Sequence, residues 1–160
     1  MKNPTLTRVF FLQQRSTELC QEFLTVLQKE KLALISLKTD DILQLIVEKE
    51  HRLLLVKKIR EELQLLLQAN FAVDSSDEFE KLLNEPEKSE WGTLRKAWLT
   101  VWESSVQQIE SNQKFMNHSL KNLSSLVENL KGLFGQKPMY SSKGFKVEAK
   151  VRTRVIEGRY

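Results

Sequence analysis

The sequence predicts an all-α fold, an elongated antiparallel bundle of three long helices and one short one, and three observations carry that prediction. Among 160 residues there are only five Gly and three Pro, while Leu, Glu, Lys and Gln dominate. Trp91, Trp98, Trp102, Ile109, Met116, Leu120, Val127 and Phe134 form one apolar stripe. At 100° per residue they lie within about 20° of one direction, along roughly 65 Å of helix. A second segment, Ile42 to Leu67, carries an apolar face broad enough to meet two neighbours.

The first helix is expected over about Thr5–Leu37. Leu12, Leu19, Phe23, Val26, Leu27, Leu34 and Leu37 recur at three-, four- and seven-residue steps, and Pro4 suits a first turn, where a missing N–H costs nothing. Thr39-Asp40-Asp41 reads as a cap for the second helix, about Asp41–Gln68, because short side-chain oxygens accept the free N–H groups of a first turn. The short link makes the two helices antiparallel. Ser75 and Glu78 have capping-box spacing and open a short third helix, Asp77–Asn84, which Glu85-Pro86 is expected to end. The fourth runs from about Ser89 to Gly135, with Pro138 beyond it. Residues 1–135 are therefore expected to form the bundle and 136–160 a mobile basic tail. In that tail Val147, Ala149, Val151, Thr153 and Val155 alternate with charged residues, a strand-like pattern that a lone strand cannot stabilise in water.

The charge follows the same division. From Lys131 to Tyr160 eight Lys/Arg face two acids, whereas residues 1–130 hold 17 bases and 19 acids. The net +4 belongs to the tail. The N-terminal apolar cluster Val9–Leu12 is too short for a secretory signal, and the uncharged run Leu63–Val73 is too short to cross a bilayer. The expectation is a cytoplasmic chain with no stable membrane insertion. Cys20, the single cysteine, sits among Leu19, Phe23 and Leu24 and reads as a small core residue.

Signals for catalysis are weak. His51 and His118 stand on polar helix faces, and only Glu48 or Glu50 near His51 has any ligand spacing, as helical neighbours have by chance. There is no phosphate-binding glycine loop and no nucleophile elbow. No enzyme activity, cofactor or metal is expected. The tryptophans read first as core beneath the short helix, and alternatively as a groove for a partner helix.

Several segments together resemble a known family. The first long helix carries Leu27-Gln28-Lys29-Glu30-Lys31-Leu32-Ala33-Leu34 and the second Val47-Glu48-Lys49-Glu50. The last carries Asn112-Gln113-Lys114-Phe115-Met116-Asn117, followed by Phe134-Gly135, a proline and Tyr140-Ser141-Ser142-Lys143-Gly144. Their order resembles the FlgN family of bacterial flagellar export chaperones over nearly the whole chain. Its most specific part is the late Tyr-x-x-x-Gly, in which Ser141 stands where many members have Gly. The resemblance implies a cytosolic chaperone, without ATP, that binds hook-associated (hook–filament junction) proteins before secretion. It implies that the C-terminal region engages the client's C-terminal helical segment, and that Tyr140, with Gly144, docks on the cytoplasmic domain of the export gate.

On the residues themselves, the fourth helix is expected to exceed the second by about 18 residues, or ~27 Å. Met116, Leu120, Leu123, Val127 and Leu130 are therefore the expected client-binding face, the alternative being that the first helix covers them. Tyr140, in a polar stretch, suits an anchor for a pocket on another protein, or else folds back over Phe134. Two rival functions are a nucleic-acid-binding helical protein with a basic tail, and a structural coiled-coil homodimer built on the fourth helix. The expected partners include no nucleic acid.

Overall fold

Asn3 opens the first helix, its Oδ1 accepting the Thr5 N–H at 3.0 Å. With Pro4 in the first turn, this fixes the start of α1 (Pro4–Ile35). The structure is a computed structural model; it describes residues 3–135 and the backbone at 139–140 and 146–147, with side-chain surroundings given through Gly132. α1 ends where Leu37 takes a left-handed φ of 54°. α2 (Thr39–Phe71) ends likewise at Ala72, φ 53°, whose N–H bonds to the Gln68 carbonyl. Residues with a Cβ cost roughly 1–2 kcal/mol in this region, so both turns are held by the helices they join.

Two expectations about helix ends are corrected. Thr39-Asp40-Asp41 is not a cap: Lys38 occupies that position without a side-chain bond, and Thr39 is already helical. Asp40 and Asp41 instead place negative charge against the positive end of the helix dipole. Glu85-Pro86 does not end the third helix but starts the fourth. Asn84 Oδ1 accepts the Glu87 N–H at 3.1 Å, and Glu87 Oε2 accepts the Asn84 N–H at 3.3 Å, a reciprocal box that makes Pro86 a first-turn residue. α3 is therefore only Ser76–Leu82, opened by Ser75 accepting the Glu78 N–H, and α4 (Glu85–Gly135) is one unbroken helix of 51 residues.

The chain forms two compact units, Met1–Gln113 and Lys114–Tyr160. In the first, ion pairs join Arg8 to Glu62, Glu22 to Arg52 and Glu30 to Lys49. The partner's number falls as that in α1 rises, so α1 and α2 are antiparallel. Phe10 meets Trp91, Cys20 meets Ser105 and Leu27 meets Asn112; these numbers rise together, so α4 runs parallel to α1 and completes an up-down-up bundle. One core cluster joins Leu6, Val9 and Leu12 of α1 to Leu63 and Leu67 of α2, Phe79 of α3 and Trp91 of α4. A second holds Leu19, Phe23, Leu27 and Val56, with Trp102 and Ile109 packed against it. Phe79 stacks edge-on to both Phe71 and Trp91, 4.9 Å between centroids in each case, and so α3 closes the end where α1 begins.

Trp91 is thus core. Trp98 and Trp102 are half-buried and stacked on each other, with Arg60 4.4 Å above the Trp98 ring. In the second unit the only strands described are Met139–Tyr140 (β1) and Lys146–Val147 (β2), antiparallel, with Tyr140 opposite Lys146. The expected strand-like alternation from Ala149 to Val155 lies outside the described residues.

Candidate functional site

The second unit's part of α4 reads Lys-Phe-Met-Asn-His-Ser-Leu-Lys-Asn-Leu-Ser-Ser-Leu-Val-Glu-Asn-Leu from Lys114 to Leu130. Apolar residues return every three or four positions, and at 100° per residue Met116, Leu120, Leu123, Val127 and Leu130 share one face. Leu120 is 57% exposed, Leu123 60% and Leu130 43%, while Met116 and Val127 are half-buried. Leu126, beside this face, is 57% exposed. Three large apolar side chains in a row with this much surface in water form a contiguous patch, not scattered exposure. Its chemistry is limited to burying apolar surface. On its far side are His118 and Asn122, whose Nε2 and Nδ2 lie 3.2 Å apart.

The Asn-rich segment that contributed to the resemblance divides in two. Asn117 is exposed. Asn112 is buried, its Nδ2 donating to the Leu27 carbonyl at 2.9 Å and to Glu30 Oε2 at 2.8 Å, while its Oδ1 accepts from Gln108 at 2.8 Å. Glu30 is itself buried, and its other oxygen pairs with Lys49. Lys31 adds a bond to Ser111 at 3.1 Å. This polar cluster fixes the register of three helices, because sliding any of them would strand a buried charge. Glu30 entered the sequence analysis only as part of the Leu27–Leu34 segment, with no burial assigned to it. The signal was present: it stands three residues after Leu27 and four before Leu34, on the apolar face.

A second exposed apolar patch was not anticipated. Around the α1–α2 turn Leu32, Ile35, Leu37, Leu43 and Val47 are exposed, beside a groove of about 350 Å³ lined by Lys29, Ala33, Lys38, Asp41, Leu45 and Glu48 among others. Its rim carries both signs of charge. Leu37 was counted with the core stripe of the first helix; the left-handed turn carries it out into water instead.

Cys20 is fully buried, and burial pushes its thiol above the ordinary value, with the nearby Ser105 hydroxyl opposing weakly. That is the opposite of an activated nucleophile. Desolvation, and secondarily the charge of Arg95, lowers the Arg60 guanidinium from its usual value. His51 is exposed, and among the described residues no group of three or more His, Cys, Asp or Glu is placed to hold a metal. Nor is any helix among them long and apolar enough to cross a membrane. The Tyr140 side chain and the whole of Gly144 lie outside the described residues.

A family model described as FlgN protein matches residues 1–148. No curated protein and no solved structure matches the chain.

Proposed function

From the premise that this chain belongs to the FlgN family, flagellar export chaperones of hook-associated proteins, we propose that its client-binding face is the leucine stripe of α4 in the second unit. Met116, Leu120, Leu123, Val127 and Leu130 receive the client's C-terminal helical segment, and the loaded chaperone presents Tyr140 and Gly144 to the cytoplasmic domain of the export gate. The observation that carries this reading is the exposure of Leu120, Leu123 and Leu130 on one helical face, a surface a folded protein does not keep without a use. Docking an amphipathic helix there buries both apolar faces, at about 25 cal/mol per Å² removed from water. No nucleotide is required for such a holding step. It also keeps the client helix, which would otherwise expose the same kind of surface, from self-association.

The test is to replace Leu120 and Leu123 with Asp in the full chain and measure binding to purified hook-associated proteins, with circular dichroism as the folding control. Client affinity should fall at least a hundredfold while the helical signal and melting midpoint stay near those of the wild type. Unfolding of the variant would assign these leucines to the core. Unchanged affinity would place the client elsewhere, the α1–α2 patch being the next surface to test.

A further inference from the structure

Resting on that reading of the stripe, we infer that it recognises the apolar side of a partner helix without reading the partner's charge, accepting helices with acidic, basic or neutral flanks alike. The contrast lies within this one molecule. In the first unit the α1–α2 seam is bordered by ion pairs, Arg8–Glu62, Glu22–Arg52 and Glu30–Lys49, and Arg95–Asp77 ties α4 to the short α3. Charges beside an apolar seam set partner choice and register. The α1–α2 seam carries such charges on both of its helices.

The second unit's seam is built differently. Met116, Leu120, Leu123, Val127 and Leu130 repeat at four, three, four and three residues, the spacing of a helix-on-helix seam. The positions bordering it are Ser119 and Leu126 on one side and Asn117 and Ser124 on the other. None carries charge. Lys114, His118, Lys121 and Glu128 project roughly 120° or more from the seam's axis, toward the opposite side of the helix. Lys131, about 60° from the axis, is the single charge near the seam and stands at its end. A partner helix lying here therefore meets leucine at the centre and small neutral polar groups at the edges. Ser and Asn hydrogen-bond either an acid or a base, and so supply neither attraction nor repulsion that depends on sign.

The occupant is a partner's amphipathic helix of about four turns, matching the ~21 Å from Met116 to Leu130. Equivalent positions earlier in α4, Trp102 and Ile109, pack against helices of the first unit, so α4 uses this face for helix contacts wherever a helix is supplied. The surplus positive charge of the second unit, ten Lys/Arg against three acids from Lys114 onward, comes mostly from Lys131 and beyond. It acts on the rate of encounter and is screened at physiological salt, whose Debye length is about 8 Å.

Three synthetic helices of about 18 residues, sharing one leucine seam and bordered by Glu, Lys or Ser, test the inference against the full-length chain. At 150 mM salt their affinities should agree within about threefold and change by less than about threefold at 500 mM. The double substitution Ser119→Lys and Ser124→Lys should then create what the wild type lacks, at least a tenfold preference for the Glu-bordered helix that salt removes. A tenfold or greater charge preference in the wild type, with binding still lost in Leu120→Asp/Leu123→Asp, overturns this inference and leaves the client-face reading standing. Retention of peptide binding by that leucine variant overturns the client-face reading itself. Failure of all three helices to bind, or self-association that the leucine variant abolishes, overturns the charge-blind seam, in the latter case by making a second copy the occupant.

Discussion

Replacing Asn112 with Ala removes a buried side chain that joins α4 to α1. The loss can be worked bond by bond. The Nδ2 bond to Glu30 Oε2, 2.8 Å, ends on a carboxylate that is 3% exposed. Hydrogen bonds to charged groups are worth about 1.5–3 kcal/mol, and here water cannot replace the lost donor. The bond to the Leu27 carbonyl, 2.9 Å, is between neutral groups and adds about 0.5–1.5 kcal/mol. The Gln108 amide is half-buried and turns to solvent at little cost. Lys49 still neutralises Glu30, so the charge is not left wholly unpaired. The expected destabilisation is about 2–4 kcal/mol, or roughly 4–16 °C in melting midpoint for a chain of this size. Urea unfolding followed at 222 nm measures it. Two companions sharpen the reasoning. Glu30→Ala combined with Asn112→Ala should cost less than the two single changes added together, by 1 kcal/mol or more, because the second change removes a group already orphaned. Glu30→Met with Asn112→Leu, which replaces both partners by apolar groups, should recover much of the loss. A cost below 0.5 kcal/mol for Asn112→Ala, or strict additivity with Glu30→Ala, would refute the cluster as a register device.

Three further outcomes are expected. Trp91→Ala, which empties the site between Phe10 and Phe79, should cost about 3–5 kcal/mol, whereas Leu123→Ala on the exposed face should stay within ~0.5 kcal/mol in the same unfolding assay. Cys20 should resist a thiol reagent in the native protein and react fully in denaturant; because its folded thiol titrates above its unfolded value, its contribution to stability is intact below the ordinary thiol range and erodes as pH rises through it, a trend that Cys20→Ala should flatten. Tyr140→Ala should preserve folding and client binding but weaken binding to the export gate's cytoplasmic domain, measured by pull-down; loss of several degrees of thermal stability with unimpaired gate binding would make the tyrosine structural.

What the sequence determined by itself was the helical character of the segments and most of their limits, which depend on near neighbours in the chain; the cap read at Thr39-Asp40-Asp41 was a local feature it misplaced. Three- and four-residue recurrence of leucine specifies helices whatever they pack against, and Ser75 caps α3 locally by accepting the Glu78 N–H, while Glu78 Oε2 reaches back to the Asp74 N–H instead of that of Ser75. The same local rule was misapplied at Glu85-Pro86 only because Asn84 was overlooked as the cap three residues before Glu87. Family membership was legible too, since the order of segments along the chain is a one-dimensional property. The tertiary structure alone decided which half of the α4 stripe is covered. Trp91 and Leu120 have nearly the same angular position on one helix, yet Trp91 is fully buried and Leu120 is 57% exposed. Periodicity states which way a side chain points and never whether another helix is there to meet it. For the same reason Glu30 and Asn112 carry no mark of burial in their own chemistry; only the approach of α1, α2 and α4 takes them from water and makes each the other's partner.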